Sequence, residues 1–189
     1  MANKVKFGLS NVHIAPITEV SDNGVTYGTP FALPGAVNLT LDPEGESADF
    51  YGDNTKYFSE FANQGYSGSL EIALINDAFR TQILGEVADS NGAMSESVND
   101  TIKNFALGFQ INGDKSNRRF WFYNVSAQRP STASQTIETS KEPRTDTLNI
   151  TASARLHDGK VKVFLEKSDT NTTAYNGFFS EVYESVVSA

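Results

Sequence analysis

Apolar and polar residues alternate with a period of two over much of this chain, the signature of strands with one buried and one wet face. In VKFGLSNVHI, the residues Val5, Phe7 and Leu9, then Val12 onward, predict a strand kinked near Ser10 and Asn11. AVNLTL puts Val37, Leu39 and Leu41 on one face and Asn38 and Thr40 on the other. GSLEIALI sets Leu70, Ile72 and Leu74 against Ser69, Glu71 and Ala73. FALGFQI repeats the device with Phe105, Leu107, Phe109 and Ile111. TLNITASAR turns Leu148, Ile150, Ala152 and Ala154 inward and Thr147, Asn149, Thr151 and Ser153 outward. RFWFYNVSA is apolar on both faces, which suits the centre of a sheet or an interface.

The punctuation agrees with strands. Asn112-Gly113 and Asp158-Gly159 supply the positive φ angles that tight hairpins need. The period changes twice. DAFRTQILGEV spaces Phe79, Ile83 and Val87 four apart, with Asn76 or Asp77 as N-cap and Gly85 interrupting or ending it, and so predicts a helix. TAYNGFFSEVYESV predicts another, carrying Tyr175, Phe179, Val182 and Val186 on one stripe. ADSNGAMSESVND, STASQTIETSKEPRTD and KSDTNTT read as polar loops, the second long enough to suggest a function. No repeat or composition shift divides the chain. The expected architecture is mainly β, a sandwich or partly closed barrel over residues 1–189, with a mid-chain helix and a C-terminal helix.

Composition narrows what such a fold does. The 189 residues include 23 acidic and 15 basic side chains, a formal charge of -8. Gripping phosphates needs Lys and Arg to displace condensed counterions, so nucleic-acid binding and an anionic membrane surface are both disfavoured. Cysteine is absent, which removes disulfides, thiolate nucleophiles and zinc-thiolate clusters. MANKVKFGLSNVHIAPI lacks the continuous apolar core of a signal peptide, so the expected place of synthesis and folding is a cytoplasm.

The chemistry-bearing patterns are thin. AVNLTLDPEGESADFYGDN ends in five carboxylates, Asp42, Glu44, Glu46, Asp49 and Asp53, with no basic residue among them. Their spacing departs from the calcium loop, which leaves an acidic surface or interface loop over 42–54 as the reading. GYSGS at Gly65–Ser69 lacks the last glycine of a nucleophile elbow and leads into a strand, so it reads as a Gly-rich bend. His13 reads as a strand surface residue and His157 as a solvated turn residue. Lys115, Arg118 and Arg119 form the one local basic cluster, suited to an intersubunit ion pair or to hairpin solubility. No catalytic apparatus and no cofactor site is expected.

Taken in order, NVHIAPITE, PGAVNLTLDPEGE with FYGDN, GYSGSLEIALI, FRTQILGE and EPRTDTLNITASAR resemble the major tail protein family of long, non-contractile-tailed bacteriophages. The resemblance runs from near residue 4 to AYNGFFSEVYE, with residues 89–103 the least alike. It implies the tail tube fold: two packed sheets partly closed into a barrel, with a flanking helix. It also implies six-membered rings stacked around a tape-measure protein, with tail terminator and distal initiator proteins at the ends. Viral DNA would cross the lumen without specific binding, and the location would be the virion tail. Segments 42–54 and 131–147 would serve assembly. The candidate acidic lumen or interface residues are Asp42, Glu44, Glu46, Asp49, Asp53 and Glu71. Two other classes stay open at this level: a carbohydrate-binding sandwich stacking sugars on Trp121, Tyr123, Tyr51 and Tyr57, and a carboxylate hydrolase.

Overall fold

The alternating segments become strands in the computed structural model, which describes residues 7–113, 117–134, 136 and 144–185. In chain order these are β1 (Leu9–Ser21), β2 (Gly24–Tyr27), β3 (Phe31–Ala32), β4 (Ala36–Glu44), β5 (Ser47–Gly52), β6 (Thr55–Phe61) and β7 (Gly65–Ile72). After α1 (Asp77–Phe79) come β8 (Val87–Ala88), β9 (Met94–Ser95), β10 (Phe105–Ile111), β11 (Arg119–Ala127), β12 (Asp146–Ser153), β13 (Lys162–Leu165) and α2 (Thr172–Asn176). The fold is mainly β. One antiparallel sheet runs β2-β1-β10-β11-β12-β7-β4, with β3 against β1 and β13 against the first half of β11. The sheet curls until β4 lies beside the start of β1 without pairing to it, leaving a partly closed barrel.

The concave side holds the core. Val12 and Ile14, Phe105 and Leu107, Phe122 and Val125, Leu148 and Ile150, and Leu70 and Ile72 meet there, plugged by Phe79, Ile83 and Leu84. A smaller cluster lies on the convex side, where Ala15, Ala106, Trp121 and Tyr123 are covered by Phe178 and Val182 of the C-terminal segment. That is why β10 and β11 are buried on both faces, as the apolar run in β11 requires.

Several expectations need correction. The kink near Ser10 and Asn11 is a β-bulge with Asn11 at φ 51°, but Val5 lies outside the described residues. A second bulge, between Ala36 and Asn38, leaves Val37 exposed while Leu39 and Leu41 pack inward. β7 stops at Ile72, so Leu74 is 70% exposed and Ile75 takes the core position. Ala154 falls beyond β12 and is exposed. Asn76 does cap α1, accepting a hydrogen bond from the Phe79 amide, and Gly85 ends the segment at φ 80°. Between them the winding widens to a π-type turn over Arg80–Leu84, and Val87 comes after its end, exposed in β8.

The C-terminal helix is one turn. It ends at Gly177, and Tyr175, Phe178 and Val182 are the buried residues; Val186 lies outside the described residues. Asn112 and Gly113 keep φ negative and donate to the Gly8 and Phe7 carbonyls, so they extend the sheet instead of forming a two-residue turn. ADSNGAMSESVND is a small hairpin, β8 with β9, braced by Asp89 Oδ1 accepting from the amides of Asn91 and Ala93. No helix among the described residues is long and apolar enough to cross a membrane.

Candidate functional site: a bare polar sheet face and a projecting hairpin

Cross-strand register sorts the polar half of each alternation into rows. Asn38, Glu71 and Thr147 lie side by side, as do Thr40, Ser69 and Asn149. The next row is Asp42, Ser67, Thr151 and Ser126, and Ser153 pairs with Asn124. A bulge in β11 creates the last two positions. Phe122 pairs with Leu107 but Val125 with Phe105, so one extra residue slips the phase. Before the slip the convex side of β11 carries Trp121 and Tyr123, covered; after it, Asn124 and Ser126, uncovered.

The rows form a convex face of hydroxyls and amides whose only charges are the Asp42 and Glu71 carboxylates. No Lys or Arg stands in them. Lateral hydrogen bonds hold the side chains down: Asn124 Nδ2 donates to Ser153 Oγ (3.0 Å), Asn104 Nδ2 to Asn124 Oδ1 (2.9 Å) and Thr145 Oγ1 to Glu71 Oε1 (2.6 Å). GYSGS belongs to this face as part of β7 and not as a bend. A Cβ at Gly68 would stand 1.9 Å from the Thr40 carbonyl oxygen. At Gly65, with φ +116°, it would stand 2.2 Å from that of Ala152. The glycines let three strands approach closely.

The acidic segment is a strand pair, not a loop. β4–β5 and β6–β7 form one ribbon: Glu44 faces Gly65, Ala62 donates to Glu46, and Ser47 faces Phe61. The distal part leaves the sheet and turns at Asp53-Asn54, both at positive φ (50° and 60°), as a two-residue hairpin requires. From Gly45 to Gly52 it projects about 26 Å at the usual rise per strand residue. Phe50 and Phe58 are directly opposed on one face. On the other, Asp49 accepts from Lys56 Nζ (2.8 Å) and Ser59 Oγ (2.7 Å), and these bonds, Lys56's foremost, hold its carboxyl below the usual range.

Asp42, Glu44, Glu46, Asp49 and Asp53 are therefore strung along the ribbon, and Glu71 stands apart on β7. Among the described residues no three His, Asp or Glu side chains converge as a metal ion would need. Of the expected assembly segment 131–147, residues 135 and 137–143 lie outside the described residues, and its last two open β12.

The remaining candidates are absorbed by a strap, the C-terminal segment from Thr172 to Ser185. Trp121 is fully buried and donates its indole N–H to the Phe178 carbonyl (2.8 Å); Tyr123, equally buried, donates to that of Tyr183 (2.9 Å). Neither offers a ring face to a sugar, whereas Tyr51 and Tyr57 are exposed on the hairpin. His13 stacks on Phe179 at 4.7 Å. Arg119 donates to the Tyr175 carbonyl and lies 4.0 Å from that ring, so it helps anchor this chain's own strap. Arg118 pairs with Glu166, and Lys115 lies outside the described residues.

Sequence patterning missed the cluster beneath the strap. Arg155, 3% exposed, bonds both Asp158 (Nη2–Oδ2 2.6 Å) and Glu184 (Nη2–Oε2 2.9 Å), with its guanidinium 4.0 Å from the Tyr123 ring. Burial works to raise the Asp158 carboxyl, but hydrogen bonds from Arg155 and the Lys160 amide prevail and hold it at about 2. Burial pushes the Tyr27 phenol up to about 12 and raises Tyr123 further. His157, expected in solvent, is mostly buried with Nε2 3.6 Å from Asp158. Compared with known families and with curated proteins, the chain matches none, so its own surfaces carry the functional argument.

Proposed function

We propose that this chain is a self-assembling structural subunit, the tail tube protein of a long, non-contractile-tailed bacteriophage, whose bare polar sheet face turns toward the lumen. The observation that carries this reading is the row-by-row content of that face: hydroxyls, amides and two carboxylates, with no cation. Binding a duplex needs Lys or Arg to replace the counterions of its phosphates. A wall without them holds water instead, repels phosphate through Asp42 and Glu71, and lets DNA pass without adhering. A face built to bind a partner would carry aromatic or Arg anchors, and these rows have neither.

Two further features suit self-contact. β4 is a margin of the sheet with no strand on its far side among the described residues, and such an edge accepts another strand. The projecting hairpin reaches well beyond the body. In this reading copies join margin to margin into rings, and rings stack around a tape-measure protein between a distal initiator and a terminator. The charge of -8 keeps free subunits apart until assembly begins. Sedimentation and negative-stain electron microscopy across rising concentration test it, with the virion's initiator and tape-measure proteins added in a second series. Rings or tubes are expected. A monomer under every condition overturns the reading.

A further inference from the structure

The hairpin's Phe50–Phe58 face rests on nothing among the described residues. Phe50 and Phe58, opposed on it, are both more than half exposed, as are Tyr51, Tyr57 and Phe61 elsewhere on the hairpin, and among the described residues β5 and β6 pair only with each other. An isolated two-stranded ribbon is marginal in water, so a face of opposed aromatics calls for a surface to cover it. No described residue of its own chain supplies one. The ribbon is continuous with β4 and β7 and carries Phe50 and Phe58 away from the body.

The body holds a complementary surface. Where the barrel fails to close, an open apolar slot runs beside β4, as two adjoining hollows of about 310 and 330 Å³ sharing Leu39, Phe109 and Ile111. Val37, Leu41 and Phe120 complete its length. Lys162 stands at its rim, donating to Tyr66 Oη at 2.7 Å. The hairpin from Gly45 to Ala62 carries Glu46, Asp49, Asp53 and Glu60 against Lys56, a net of -3 (four acids, one base). Polarity and charge sign both match.

We propose that the occupant of this slot is the hairpin of a second copy, with the Phe50–Phe58 face seated over Leu39, Leu41 and Phe109 and the acidic edge toward Lys162. Hairpin and slot are different surfaces, so the contact is head-to-tail. Made in one direction, such contacts propagate into rings or open filaments, whereas a reciprocal exchange of hairpins would close as a twofold dimer. This rests on the self-assembly reading and names the contact that drives it.

The chain has no cysteine, so engineered thiols report cleanly. Phe58→Cys combined with Val37→Cys in one chain should give, under mild oxidation, a ladder of covalent oligomers. An arm variant, Phe50→Ser with Phe58→Ser, and a slot variant, Val37→Glu, should each raise the threshold concentration for assembly roughly thirtyfold or more, the loss expected for a buried aromatic anchor. Mixed, they should form one-to-one pairs and nothing longer, because each retains one competent half. All these positions are exposed, so thermal melts should match wild type. Wild-type assembly that survives the arm variant, with no thiol ladder, overturns the hairpin–slot contact and leaves self-assembly standing. A wild type that never assembles and a ladder that never forms overturn both.

Discussion

Replacing Arg155 by Met removes a buried cation of similar volume and leaves Asp158 and Glu184 facing its site. Breaking a buried pair from one side costs about 3–5 kcal/mol when the stranded charge stays dry. Glu184 is about half exposed and Asp158 about a quarter, so water repays part of this, and the expected loss is about 2–4 kcal/mol. Unfolding entropy near 2.1 cal/mol/K per residue gives roughly 0.4 kcal/mol/K for a chain of 189 residues, so Tm should fall by roughly 5–10 °C. Circular dichroism at pH 7 measures it. The strap should loosen first, because Arg155 ties Glu184 to the sheet. Trp121, the single tryptophan, lies under the strap and should shift its emission to the red before the strands melt. A melt within about 2 °C of wild type, or a tryptophan signal that moves only with global unfolding, would refute the view that this cluster pins the strap.

Three other outcomes follow from the same geometry. Asp158 has a folded pKa of about 2, below its unfolded value near 4, so its contribution is present above pH 4 and is lost as pH falls from 4 toward 2. With screening it amounts to about 1–2 kcal/mol, and Asp158→Asn should flatten that part of an acid titration of stability. Gly68→Ala would force Thr40 and the β4 edge outward at a cost of about 1–3 kcal/mol, visible as faster hydrogen exchange across 38–44. Ser69→Lys with Thr151→Lys should leave the melt unchanged but confer duplex binding that weakens with salt, with a slope near one per lysine; wild type should show none.

Strand content was legible because alternation is a local signal. In β10 and β12 the inward set follows from the sequence unaided. Errors cluster where the phase slips. The bulges at Val37 and in β11 each insert one residue, and alternation carries no mark of where an insertion falls. The π-type turn at Arg80–Leu84 likewise uses up the helix before Val87. Gly177 ends the C-terminal turn, a stop that the four-residue stripe running past it conceals. TKYFSEF was the largest omission. Asp53-Asn54, two residues tolerant of positive φ between aromatic runs, was the available signal that the acidic stretch doubles back as a hairpin. The Arg155 cluster was out of reach, since joining Arg155 to Glu184 depends on where the strap lies.

One reconstruction of the assembled protein at side-chain resolution decides the account. It should find Ser67, Ser69, Asn149 and Thr151 on the inner wall of a closed ring, with Asp42 and Glu71 making that wall electronegative. A lumen lined by Lys and Arg, or an assembly that turns these rows outward to solvent, would contradict it.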